Sequence, residues 1–286
     1  MSVVPALLSS LLWGVSDFLG GTATKRLRAA AVVGGSQAIA LAVLLAFAAL
    51  TGELGGIAGH PSRLLPGVAA GVIGSTALAA FYAALAEGTM GVIAPIAAMG
   101  TLLPVVVGLA RGEAPSALQL VGIAVAVAGV VLASGPELSG GASARPLLLA
   151  IGAAVGFGSV AILLAKGAAH GGVGVLGTVL TMRATSTTLM AITAACLLAT
   201  GRLSAGMPSR RDLLLLAAIG LGDMGANASF GVSSQGGLLS VVAVLGSLYP
   251  IVTVLLARQV HDERLTRIQV VGVVAALAGV ALLAGG

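Results

Sequence analysis

The chain has 286 residues, of which 58% are apolar and only 8% are Asp, Glu, Lys or Arg. A soluble domain carries about 25% charged residues, so this chain lacks the charge to cover a water-exposed surface of its own size. The net charge is +5, but the basic residues are scattered and aromatic residues make up only 3% of the chain. A nucleic-acid protein would need a basic stripe or a stacking surface, and a disordered chain would be far less apolar. The composition leaves an integral membrane protein.

Ten apolar runs follow one another along the chain. A helix needs about 20 mostly apolar residues to cross the hydrocarbon core of a bilayer. The runs are long and do not alternate apolar with polar residues, which favours helices over strands. A helix also satisfies its own backbone hydrogen bonds in lipid. The predicted transmembrane helices cover residues 3–21, 30–50, 65–86, 90–110, 117–134, 146–165, 175–199, 212–231, 237–257 and 268–285.

Glycine is abundant, with 43 residues. In a membrane, small residues allow helix backbones to approach closely. Residues 67–71 and 152–156 each begin and end on glycine, which puts two small residues on one helix face. The biased composition accounts for many single matches to this spacing. Taken together, the matches predict a tightly packed helix bundle.

The two halves of the chain resemble each other. Residues 121–130 (VGIAVAVAGV) align with 271–280 (VGVVAALAGV) at an offset of 150, and residues 100–104 (GTLLP) align with 246–250 (GSLYP) at an offset of 146. The repeat is five helices long, and an odd number of crossings makes the second copy enter from the opposite side of the membrane. Inverted repeats allow two half-bundles to rock around a site near the midplane, as transporters do.

The repeat divides the chain into three parts. We predict a first five-helix repeat at 1–135, a linker rich in Gly and Ser at 136–145, and a second five-helix repeat at 146–286. The fold class predicted is an all-α integral membrane protein with ten transmembrane helices, arranged as two inverted five-helix repeats. The bilayer is then its permanent partner.

Each half also carries the same short motif, in which a Pro is followed by a Glu, a Gln and two Gly. With the Trp13-Gly14 pair in the first run, this organisation resembles the EamA-type drug/metabolite transporter superfamily. The resemblance implies a central cavity reached alternately from each side, a small-molecule solute and no bound cofactor. The motif residues are Pro104, Glu113, Gln119, Gly122 and Gly129 in the first half and Pro250, Glu263, Gln269, Gly272 and Gly279 in the second.

Ionisable residues inside apolar runs are costly and mark functional sites by default. Asp223 lies near the middle of the eighth run, and Asn227 follows one turn later on the same face. This pair is interpreted either as a contact for a coupling proton or a cationic solute, or as a hydrogen-bonded helix-packing pair. Asp17 lies one turn after Trp13 in the first run, where the related small multidrug pumps carry an acidic residue for proton and cation exchange. Its alternative interpretation is a side chain that reaches the membrane interface.

Arg183 falls in the seventh run, and the 146-residue offset pairs it with Gln37 in the second. Near a helix start its side chain can snorkel to the interface, which is the interpretation that we favour. Alternatively, Arg183 is the partner of Asp17 or Asp223, or it binds an anionic solute. Tyr82 and Tyr249 belong to a set of aromatic residues within the runs, typical of a cavity lining and also of ordinary core filling. The predicted solute-binding residues are Trp13, Asp17, Gln37, Tyr82, Arg183, Asp223, Asn227 and Tyr249.

Signatures of enzymes are missing. The chain has no phosphate-binding loop, no zinc-binding His-Glu-x-x-His and no nucleophile elbow. Cys196 is the only cysteine, which excludes an intrachain disulfide, and the three histidines lie in polar breaks. We therefore expect no catalytic residue, no metal and no cofactor.

The sequence thus predicts a secondary transporter of small organic solutes in the cytoplasmic membrane, which works by alternating access and can be coupled to protons. The alternative is a membrane scaffold or accessory protein that transports nothing. Most Lys and Arg lie in the breaks after the odd-numbered runs, which puts both termini outside by the positive-inside rule, whereas the resemblance implies cytoplasmic termini. The sequence leaves open the substrate, the direction of transport and the choice between monomer and homodimer.

Overall fold

The computed structural model describes residues 3–24, 26–60, 64–87, 93, 96–133, 144–169, 174–200, 209–261 and 266–285. Over these residues the protein is helical, with short turns and no strand. Residues 136–143 of the predicted linker and the motif residue Glu263 lie outside the described residues. Ala144 and Arg145, predicted as linker, begin a helix.

Twelve α-helices occur in the described residues. Their bounds follow the predicted runs closely, and a short helix at Glu53–Ala58 falls in what the sequence presents as a break. The helices are α1 Val3–Thr24, α2 Ala29–Leu50, α3 Glu53–Ala58, α4 Leu65–Glu87, α5 Leu102–Ala110, α6 Ala117–Ala133, α7 Ala144–Ala168, α8 Gly174–Ala199, α9 Arg210–Gly236, α10 Leu239–Gly246, α11 Tyr249–His261 and α12 Arg267–Gly285.

Six of these helices are long and apolar enough to cross a membrane, namely α1, α2, α4, α7, α8 and α9. Four shorter apolar helical stretches, two of them interrupted, occupy the remaining predicted runs: Ile96–Ala110, Ala117–Leu132, Leu239–Thr253 and Arg267–Leu283. The protein is therefore an all-helical membrane protein with six strongly apolar candidate spans.

The fourth and ninth runs are interrupted, whereas the sequence analysis presents 90–110 and 237–257 as continuous helices. A 3-10 turn at Met99–Thr101 precedes α5, and residues 247 and 248 separate α10 from α11. Pro104 and Pro250 explain both interruptions. Proline has no N–H to donate and its ring crowds the carbonyl four residues earlier, which here belongs to Gly100 and Gly246.

Equivalent helices of the two halves make equivalent contacts. The first helix of each half packs on a helix of the other half: α1 lies along α9, and α7 lies along α4. The second helices, α2 and α8, contact each other, as do the last helices, α6 and α12. Each half is therefore completed by a helix from the other, which makes the bundle a single unit.

Glycines allow these close crossings. A Cβ atom on Gly129 of α6 would overlap the backbone of Ala276 in α12, and one on Gly220 of α9 would overlap the backbone of Ser36 in α2. Both ends of the 67–71 motif face α8 in the same way. Only one end of the 152–156 motif is a contact, because Gly156 meets Ala77 whereas Gly152 has open space around it.

Candidate functional site

A cavity of about 130 Å³ lies at the centre of the bundle, among α1, α2, α4, α7, α8 and α9 and the two interrupted runs. An apolar cavity of roughly this volume admits a benzene-sized molecule, so a small organic solute fits. The interruptions bring backbone and side chains of both motifs to its wall, including Gly100 and Pro104 from the first and Gly246 and Ser247 from the second. Of the eight predicted site residues, those that line the cavity are Trp13, Asp17, Gln37, Arg183, Asp223, Asn227 and Tyr249.

A buried ion pair crosses the cavity wall. Nη2 of Arg183 lies 2.7 Å from Oδ2 of Asp223, with 1% of the Arg183 side chain and 24% of the Asp223 side chain exposed. Nη1 of Arg183 donates a hydrogen bond to Oε1 of Gln37, and the Ser186 hydroxyl donates to the same oxygen at 3.0 Å. The favoured prediction of a snorkelling Arg183 is therefore wrong. The residue is the tenth of α8, and its buried guanidinium is bound to Asp223 and Gln37 instead of reaching outward.

Asp223 is held by two further groups. Nε1 of Trp13 donates to Oδ1 of Asp223 at 3.1 Å, and Nδ2 of Asn227 donates to the same oxygen at 3.2 Å. Asn227 also donates to the backbone carbonyl of Asp223 at 2.6 Å, which fixes its amide one turn away. The Trp13 ring rests against Phe230, with 5.7 Å between ring centroids. Asp223 is thus a fully partnered carboxylate that joins α1, α8 and α9.

Asp17 lies on the same cavity in a different situation. It is within electrostatic range of Asp223. In the part of the chain that the structure describes, no group donates a hydrogen bond to its carboxylate and no cation pairs with it. Its side chain faces the cavity, and α1 continues beyond it to Thr24. With Arg183 already paired with Asp223, the two carboxylates and the guanidinium on the described cavity wall carry one negative charge in excess when both carboxylates are ionised.

Tyr82 does not reach the cavity wall. It is buried behind the wall, where its ring packs on Phe81 with 5.9 Å between centroids. Phe81 in turn meets Phe157, which lines the cavity, edge to face at 5.7 Å. The Tyr82 hydroxyl fills the space above Gly20 of α1, where a Cβ would overlap it. Its role is therefore to support the wall near Asp17.

Several residues of the site were not predicted from the sequence. Ser186 shares Gln37 with Arg183, and its position one turn after Arg183 on the same helix face was a usable signal. Ser247 and Thr101 line the cavity because they follow equivalent glycines at the two interruptions. The two glycines can be recognised in the repeat. Only the structure shows that the helices are interrupted there, so that Thr101 and Ser247 line the cavity.

The arrangement favours the binding of a cation. An ionised carboxylate that no described group pairs with is costly inside an apolar helix bundle, and a proton or an organic cation neutralises it. The aromatic faces of Trp13 and Tyr249 line the same cavity and suit the apolar part of a solute or a cation beside a ring. The guanidinium of Arg183, which lines the cavity, is already bound to Asp223 and is therefore not free to pair with an anion.

Comparison with known proteins gives a family. A family model described as the EamA-like transporter family matches residues 1–135 and 144–285. A solved structure, titled only as the crystal structure of a protein, superposes with a TM-score of 0.78 at 18% sequence identity, covering 98% of this chain and 95% of that chain. No curated protein matches this chain. At that identity the likeness to the solved structure concerns the fold alone.

Proposed function

We propose that this chain, which belongs to the EamA-like transporter family, is a secondary transporter of small organic solutes in the cytoplasmic membrane and works by alternating access around the central cavity. Membership of the family makes it a membrane transporter of small solutes; the mechanism and the site are our proposal. The observation that carries the proposal is that no group among the described residues pairs with the Asp17 carboxylate, whereas the guanidinium of Arg183 on the same cavity is already paired with Asp223.

The architecture supports alternating access. We take the four shorter apolar helices as spans beside the six longer ones, which gives ten crossings and two oppositely inserted halves of residues 1–135 and 146–286. Interrupted helices at the bilayer midplane are typical of secondary transporters, and both interruptions border this cavity. Because each half contributes its first helix to the other, the two bodies that would tilt against each other each contain helices of both halves, and their tilting would expose the solute space to either side.

The charges on the wall support coupling to protons. Asp223 is held by Arg183, Trp13 and Asn227, so it gains little from a further cation. Asp17 has no such partners, and a proton or the cationic group of a solute would neutralise it. If both compete for this one carboxylate, they cannot cross together in the same direction. The protein would then exchange the solute for protons.

The native fluorescence of the protein offers a direct test of binding. Trp13 is the only tryptophan of the chain, and it lines the cavity. We expect its emission to change in purified protein when a small organic cation binds, and a panel of amines, zwitterions and carboxylates would identify the class. A ligand that binds the native state also raises its melting temperature. Carboxylates at the same concentrations should change neither signal.

Transport is then measured in liposomes that contain a pH-sensitive dye. We expect a gradient of the identified solute to drive proton movement in the opposite direction. Asp17→Asn should abolish that proton movement, whereas Glu53→Gln, which alters an exposed acid in the short helix α3, should retain it. If no solute of the panel is moved or bound, and the protein instead copurifies with a partner, the scaffold alternative is favoured.

A further inference from the structure

A carboxylate from one half of the chain caps a helix of the other half. Oε1 of Glu113 accepts a hydrogen bond from the backbone N–H of Leu239 at 2.7 Å. Oε2 accepts from the backbone N–H of Ser240 at 3.0 Å and from its hydroxyl at 2.7 Å. Leu239 and Ser240 are the first residues of α10, whose opening N–H groups have no partners within the helix. The residue that precedes the helix, Leu238, supplies no side-chain cap.

The turn after α5 is shaped to present this carboxylate. Gly112 has a φ of 89°, a conformation that favours glycine. The N–H of Gly112 bonds to the carbonyl of Leu109, and the N–H of Glu113 bonds to the carbonyl of Gly108, which together form a Schellman ending of the helix. The Glu113 carboxylate then lies over Gly108, where a Cβ would displace it. Gly108 and Gly112 therefore allow the Glu113 carboxylate to take this position.

The capped helix leads directly to the solute space. All eight residues of α10 are buried, and α10 packs on α1 and α5. Ala243 and Gly246 of α10 line the cavity, one turn or more beyond the capped end. The bonds from Glu113 therefore hold the first turn of α10 in place. This helix extends from the cavity toward the membrane face on which the 111–116 loop lies. A path from the cavity to that face along α5 and α10 requires the two helices to separate, and Glu113 joins them.

We propose that Glu113 is a positioning residue of the transport cycle, a latch whose bonds to α10 hold this end of the cavity closed and break when it opens. This inference rests on the proposed function, because only a protein that alternates between two states needs a latch that opens. Glu113 is not among the residues that line the cavity, so its proposed role is to position α10 and not to bind the solute. It sets how often the protein visits the state that is open toward the 111–116 loop.

The test measures access to the cavity from each side of the membrane. Cys196, the only cysteine, is replaced by serine, and Ala243→Cys provides a single reporter on the cavity wall. The rate of labelling with a membrane-impermeant maleimide is measured in right-side-out and inverted vesicles. We expect Glu113→Gln to raise labelling from the side of the 111–116 loop about fivefold, the factor by which loss of a helix cap typically shifts an equilibrium. Labelling from the other side should stay equal or fall.

Two further variants keep the result interpretable. Ser240→Ala removes the hydroxyl bond to Glu113 but keeps both backbone bonds, so we expect a smaller increase on the same side, even if Glu113→Gln should fail to fold. Glu53→Gln, an exposed acid of α3, should leave both rates unchanged. Equal increases from both sides, or no change with Glu113→Gln and Ser240→Ala, would overturn the latch. Because labelling requires no solute, a one-sided increase without transport of any tested solute would contradict the proposed function alone.

Discussion

Gln37 and Arg183 are equivalent residues of the two halves, and their side chains hydrogen-bond to each other. Their separation of 146 residues is the same offset that aligns 100–104 with 246–250. The rotation that interchanges the two halves leaves only points on its axis in place, so two equivalent residues can touch each other only at that axis. The contact between Gln37 and Arg183 therefore marks the pseudo-symmetry axis. The axis passes through the wall of the cavity, and its two sides differ in charge, since one carries an amide and the other a guanidinium.

The Arg183–Asp223 pair should be required for a stable fold. Arg183→Gln leaves Asp223 without its cation, and breaking a buried pair from one side typically costs about 3 kcal/mol. We expect a lower melting temperature for Arg183→Gln in detergent, and a double variant with Asp223→Asn that is destabilised by less than the sum of its singles. Strict additivity of the two single effects in this double-mutant cycle would contradict the pairing.

Asp17 should oppose stability, in contrast to Asp223. Asp17→Asn removes a partnerless carboxylate close to Asp223, so we expect a gain of about 1 kcal/mol, which corresponds to a rise of about 2–4 °C in melting temperature for a protein of this size. Proton exchange should be lost in the same variant, a trade of function for stability. Asp223→Asn serves as the matched comparison and should lower the melting temperature. A lower melting temperature for Asp17→Asn would indicate a structural role instead.

The glycine contacts predict opposite effects for two chemically identical substitutions. In Gly129→Ala the new methyl group would overlap the backbone of Ala276, so α6 and α12 must separate and we expect a loss of 2 kcal/mol or more, about the cost of overpacking a core. In Gly152→Ala the methyl group meets open space, and helix propensity favours alanine, so stability should be equal or higher. Thermal denaturation of both variants in one detergent measures the difference. Equal losses would contradict the crossing described here.

The orientation can be predicted from the loops. Lys and Arg concentrate in the breaks after the odd-numbered runs, so we expect that face to be cytoplasmic and the C-terminus to be outside. A C-terminal fusion to a reporter active only in the cytoplasm should therefore give no signal, whereas a fusion after residue 135 should give one. The reverse result would place the termini in the cytoplasm and put the Glu113 latch on the cytoplasmic side.

The sequence by itself determined the class of protein, the positions of the helices and the repeat. These depend on composition and on local periodicity, because a run of apolar residues in lipid has little choice but to form a helix. The repeat also paired Gln37 with Arg183, and burial cost alone marked Asp17 and Asp223 as unusual. The sequence could not reveal the helix breaks at residues 99–101 and 247–248, although it shows the two prolines that cause them.

Only the tertiary structure decided which charges are partnered. Asp17 and Asp223 look alike in sequence, and their equivalents at the same offset are the apolar Leu163 and Ala77, so the repeat offers no guidance. The packing of α8 against α9 pairs Arg183 with Asp223, and no described cation pairs with Asp17. Elsewhere in the bundle, the contact between α1 and α4 keeps Tyr82 behind the cavity wall, and the approach of α5 to α10 brings Glu113 to a residue 126 positions away in the chain. A side chain's partners across helices depend on rotation and depth in the bundle, which local sequence does not encode.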